Sequence, residues 1–189
     1  MNTIIVDIET APLDMAEHEA LPEDERFKLL NPIDSRIVAI GLRHGGETAI
    51  FMDEDERKLL ESFWSEFNAR RMRTPGSIIV GFNILHFDLP FLTSRSFIND
   101  VQITPFKLKH VIDVREKLNA YRSGKSRGSL KDYARALGDT PEDTGSKVAE
   151  WWKEKKFDEI KKYLSLDLEM TEHVFERAQK LRIVEIEKW

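Results

Sequence analysis

The chain has 189 residues, enough to bury one sizeable core, and its 41% hydrophobic and 33% charged side chains suit a globular domain with a heavily charged surface. It contains no cysteine, which excludes disulfides, thiolate metal sites and cysteine nucleophiles. A formal net charge of -5 argues against coating nucleic acid by bulk attraction, yet it admits an enzyme whose acidic ligands are neutralised by bound cations.

No apolar run approaches the roughly 20 residues needed to span a bilayer, and no basic region followed by a long apolar segment opens the chain. A single domain over residues 1–189, cytoplasmic and without a membrane partner, is the expectation.

In chain order, Thr3, Ile4, Ile5 and Val6 form a β-branched strand that runs into Asp7, Ile8, Glu9 and Thr10. Residues two apart on a strand share a face, so Asp7 and Glu9 project together. Residues 12–32 are acidic and irregular, with a helix start at Pro22 and Glu23, and Phe27, Leu29 and Leu30 positioned to pack the excursion down. Residues 36–43 and 47–52 flank His44, Gly45 and Gly46 and predict a β-hairpin.

Residues 53–72 carry Leu59, Leu60, Phe63, Trp64 and Phe67 at helical spacing, an amphipathic helix. A turn at Thr74, Pro75 and Gly76 precedes a short apolar strand over 77–82. Pro90 suits the first turn of the next helix and puts Asp88 at its beginning. Residues 109–114 predict another strand, with a helical segment reaching about Tyr121. Ser129 is placed to cap a helix through Leu137 that Gly138 closes, and a long helix spans 157–181. The order implies an α/β fold, a mixed sheet flanked by helices, with ligands gathering at strand ends.

Two carboxylates on one strand face repel one another and are costly to desolvate unless a cation or a proton bridges them. On the last helix, Tyr163 and Asp167 at i and i+4 share a face. Each pair alone is compatible with an ordinary rim or surface position. Asp7 and Glu9 at a first strand, Asn83 to Asp88 after a middle strand, and Tyr163 with Asp167 on a late helix together make a specific pattern.

That pattern resembles the DEDD superfamily of 3'-5' exonucleases, DnaQ-like proteins of ribonuclease-H-like fold that include polymerase proofreading domains. Tyr163 stands four residues before Asp167, and Lys162 occupies the place of the histidine type, so the resemblance is to the tyrosine (DEDDy) type. It spans residues 3 to about 178 and is closest to stand-alone relatives of the family B polymerase exonuclease domain. The resemblance implies a ribonuclease-H-like mixed sheet, two divalent ions, Mg2+ or Mn2+, on Asp7, Glu9, Asp88 and Asp167, and a Tyr163 that orients the attacking water. Oxygen-only ligands favour such hard cations over zinc. The implied partner is nucleic acid, with the 3' end of single-stranded DNA as substrate. RNA at the same site and a non-catalytic binding module are the alternatives.

Candidate substrate contacts are Thr10, Asn83 and Phe87, with Arg122, Lys125 and Arg127 on a Gly/Ser loop as phosphate contacts. Phe82 and Phe87 suit the core as well as a base. Arg70, Arg71 and Arg73 form a second basic group, and His86 and His173 receive no catalytic role. A haloacid-dehalogenase-type phosphatase, which needs Asp at position 9 and Thr or Val at 11, is set aside because Glu9 and Ala11 stand there.

Overall fold

The computed structural model describes residues 2–122, 128–141 and 147–188. Strands β1 (Thr3–Pro12), β2 (Ser35–His44), β3 (Glu47–Phe51), β4 (Ile78–Gly81) and β5 (Val111–Asp113) form one sheet in the order β3-β2-β1-β4-β5. β1 pairs antiparallel with β2 and parallel with β4, β2 pairs antiparallel with β3, and β4 pairs parallel with β5. Helices α2 (Glu56–Arg73) and α3 (Asp88–Ile98) cover one face, and α7 (Phe157–Lys180) lies across the other. This is the mixed α/β sheet with flanking helices that the sequence predicts.

The pleat of β1 explains how one strand serves two cores. Ile4, Val6 and Ile8 pack with Leu59, Phe63 and Phe67 of α2, while Ile5 faces the core that includes Leu164 and Leu168 of α7. Asp7 and Glu9 continue the Ile5 side. Full burial of each such apolar side chain contributes about 1.5–3 kcal/mol, so the register that places these carboxylates is held by the core itself.

Between Glu9 and Thr10 the β1–β2 register shifts by one residue, leaving Val38 as the extra residue of a bulge. Beyond it, Ala11 and Val38 form a separate small core with Val148 of α6 (Val148–Lys153), against which Tyr163 and Trp151 pack.

The 12–32 excursion differs from the sequence expectation. A helix α1 (Met15–Ala20) forms there, capped by Asp14, whose carboxylate accepts from Ala16 and Glu17 N–H, and a 3-10 turn follows over Glu23–Leu29. Only Leu29 of the three expected anchors is buried, whereas Phe27 is 70% exposed and Leu30 is also exposed. Near 121 the helical segment is shorter than predicted, α4 (Val114–Leu118) ending before the turn that contains Tyr121. Helix α5 (Leu130–Ala136) begins on a Ser129–Asp132 capping box, and Gly138 follows it with φ +99. Among the described residues no helix is long and apolar enough to cross a membrane.

Candidate active site

Asp7, Glu9 and Asp167 meet at the C-terminal part of β1, where each offers a carboxylate oxygen and these oxygens all lie within 4.8 Å of one another. The approach of α7 depends on Gly41, which pairs with Asp7 across the strands. A Cβ at Gly41 would lie 2.5 Å from Leu168 Cδ1 and 3.0 Å from Leu164 Cγ, the residues on either side of Asp167 in the helix's buried stripe. Only glycine lets the helix come close enough for Asp167 to reach the strand's carboxylates.

Asp88 is the first residue of α3 and is 2% exposed. Its Oδ1 accepts the Ile8 N–H at 3.1 Å, a donor on the side of β1 that faces β4, beyond the last β1–β4 residue pair at Ile5 and Val80. The charge of Asp88 bears directly on the Asp7 carboxyl. Asp88 therefore stands behind Asp7, outside the three-carboxylate group, with one oxygen already engaged.

Burial pushes the Asp7 carboxyl well above its ordinary value, and the charges of Asp88, Glu9 and Asp167 push it further. Glu9 is raised in the same way, by burial first and then by Asp167 and Asp88, with Lys131 opposing. Asp88 is pushed up to about 7 by burial, against backbone N–H bonds that hold it down. Asp167 is raised by burial, with the Tyr163 hydroxyl and Lys131 opposing. Four carboxyls that resist losing their protons are in the state that bound cations would reverse.

The donor set fits a hard divalent cation. All three converging residues are carboxylates, and Asp167 Oδ1, buried with no hydrogen-bond partner among the described residues, is free to coordinate such a cation.

The Tyr163 hydroxyl accepts a hydrogen bond from Lys131 Nζ at 3.0 Å, while the same ammonium lies 4.6 Å from the centre of the Tyr163 ring. Burial and the neighbouring carboxylates raise the phenol above its already high value, so it keeps its proton. Lys131 was missed in the sequence, where it reads as one more lysine on a short amphipathic helix. A groove of about 490 Å³ opens beside the tyrosine, with Trp151, Leu166 and Met170 among its apolar walls and Lys162 and His173 on its polar ones.

The other sequence candidates fall in different places. Thr10 sits at the bulge, half-buried, next to Glu9. Asn83 has φ +64 and its carboxamide oxygen accepts from Arg115 at 3.0 Å. Phe87 is half-buried and packs its ring on Phe91 at 4.8 Å, and Phe82 packs on Tyr133 at 5.9 Å, so both rings serve the cores. Arg122 is exposed at the turn after α4, and Lys125 and Arg127 lie outside the described residues. Arg70, Arg71 and Arg73 close α2 just before β4 begins, at the end of the sheet away from the carboxylates. There Arg70 and Arg73 bind Glu66, and Arg71 donates to the Pro105 carbonyl.

A family model described as the RNase_H superfamily matches residues 29–179, a span that contains Asp88, Tyr163 and Asp167 and begins after β1. Over 159 residues the chain is 40% identical to the uncharacterized protein MJ0365 of Methanocaldococcus jannaschii, covering 75% of this chain and 85% of that protein. Among solved structures, the family B DNA polymerase from the hyperthermophilic archaeon Pyrobaculum calidifontis superposes with a TM-score of 0.71 at 18% identity. That match covers 97% of this chain and 25% of the polymerase, and it is a likeness of fold.

Proposed function

The chain belongs to the RNase_H superfamily, and from that premise we propose that it is a metal-dependent 3'-5' exonuclease of the DEDDy type acting on single-stranded DNA. The observation that carries the reading is the convergence of Asp7, Glu9 and Asp167 oxygens within 4.8 Å beside a tyrosine that keeps its proton. Two divalent cations, Mg2+ or Mn2+, held by these carboxylates with Asp88, would supply charge to activate a water and to stabilise the leaving oxygen.

The residues themselves divide the remaining work. Tyr163 is no general base, because its phenol is raised further from neutrality by its acidic neighbours. With its hydroxyl fixed by Lys131 beside Asp167, its remaining lone pair accepts a hydrogen bond from a water and turns that water's own lone pair toward phosphorus. Lys131 holds the hydroxyl and offsets part of the acidic charge that a phosphodiester meets on entry. The groove beside Tyr163 has room and apolar walls for a nucleotide next to the scissile bond.

The test compares 5'-labelled single-stranded DNA, duplex DNA and RNA with Mg2+, Mn2+ or EDTA. Stepwise shortening of single-stranded DNA from its 3' end, abolished by EDTA, is the expected result. Equal or faster decay of RNA overturns the substrate, and no cleavage of any polymer with either cation overturns the activity.

A further inference from the structure

Asp113 is a further carboxylate near the site, 2% exposed, and the reaction described above leaves it without a task. It ends β5, paired with Gly81 at the end of β4. The chain that leaves Gly81 must cross toward β1 before Asp88 starts α3. Within the loop, residues 82–87 belong to no strand or helix, Asn83 is in the left-handed region with its carbonyl accepting from His86 and Phe87 N–H, and Phe87 provides no side-chain cap for α3.

One carboxylate ties this turn to the neighbouring strand. Asp113 Oδ1 accepts the Asn83 N–H at 2.9 Å, and Oδ2 accepts the Leu85 N–H at 3.1 Å. Oδ1 also accepts from Arg115 and Glu116 at 3.0 and 3.2 Å, the N-terminal cap of α4. Between the two stapled amides Ile84 is fully buried, and Gly81 has no room for a Cβ, which would lie 2.7 Å from Ile84 Cβ. The loop is thus pinned from above and wedged from below, and it delivers Asp88 to the Ile8 N–H.

We propose that Asp113 is a positioning residue for the active site: by stapling the β4–α3 loop it sets Asp88 against β1. A carboxylate alone suits the task, since Asn would turn an N–H toward the Leu85 N–H, and Ser could cap α4 without reaching the loop. For its consequence on cation binding the inference rests on the nuclease reading; the geometry of the staple does not.

Asp113→Ser and Asp113→Asn separate this role from simple capping, because Ser restores the α4 cap and Asn retains Oδ1. The first readout is amide exchange at Ile8, whose N–H reports the seat of Asp88. Exchange about tenfold faster in both variants, with Ile40 and Leu42 unchanged, is expected. Calorimetric Mn2+ affinity, the second readout, should fall about 10- to 100-fold. An unchanged Ile8 exchange rate in either variant overturns the proposal, as does wild-type Mn2+ affinity in Asp113→Ser. If the wild type itself binds no Mn2+, the nuclease reading fails while the Ile8 measurement still decides the positioning role.

Discussion

Glu56 and Asp167 are carboxylates buried on opposite faces of the same sheet, and their surroundings differ in kind. Glu56 opens α2, and both its oxygens are engaged: Ile37 N–H at 2.8 Å and Arg95 Nε at 3.0 Å on one, Arg95 at 2.6 Å and Asn99 at 3.2 Å on the other. Asp167 stands with Asp7 and Glu9, has an unpartnered buried oxygen, and has Lys131 as a nearby cation. Where a buried charge serves only to join α2, α3 and β2, it is neutralised and fully bonded. Carboxylates left crowded, with an unpartnered oxygen and pushed toward their protonated form, are the arrangement a bound cation would complete. The comparison separates a structural use of charge from a functional one within a single sheet.

The largest contrast should appear in catalysis. Asp7→Asn removes a converging ligand while leaving the apo fold no less stable, because it relieves repulsion. Its kcat/KM on single-stranded DNA should fall at least ~10³-fold, with the melting temperature in EDTA unchanged or higher. A similar loss of activity accompanied by a large fall in melting temperature would place Asp7 with Glu56 as a structural carboxylate. Tyr163→Phe keeps the ring and deletes the hydroxyl, so kcat should drop about 10²- to 10⁴-fold without loss of cation affinity. Full recovery at high Mg2+ would contradict the water-orienting role.

On the other face the expectation reverses. Arg95→Met leaves Glu56 buried without its partner and should lower stability by about 3–5 kcal/mol in urea melts, while turnover per folded molecule stays at the wild-type level. A smaller or similar effect comes from pH. In the folded chain Asp88 titrates at about 7 rather than at the ordinary 3.8, so its stabilising protonated form is fully present below about pH 4 and is lost as pH rises through 7. In EDTA, wild type should therefore lose stability relative to Asp88→Asn between pH 4 and 8, by on the order of 4 kcal/mol. Paired melts across that range check it, and a gap that does not widen with pH would show that the acidic centre is not under the strain inferred.

Much of this contrast was legible in the sequence because it rides on strong periodicity. The alternation of β1 put Asp7 and Glu9 on one side, the spacing of Leu59 to Phe67 gave α2, and i, i+4 spacing joined Tyr163 to Asp167. What stayed hidden depends on tertiary placement. Lys131 reaches Tyr163 across 32 positions, Asp113 staples residues 28 and 30 positions away, and Glu56 meets Arg95 across 39. None of those separations has a local pattern. Helix α1 was missed because it buries no side chain, so no apolar stripe announces it and the Asp14 cap holds its start.

Cation binding tests the central claim most directly. Mn2+ titrated calorimetrically into the protein near pH 6.5, in two buffers of different ionisation enthalpy, reports both affinity and protons released. Binding should displace protons from the shared carboxyls, giving heats that differ between the buffers, and should be lost in Asp167→Asn. Binding that survives Asp167→Asn, or no binding to the wild type at all, would contradict the assignment of the acidic centre as a cation site.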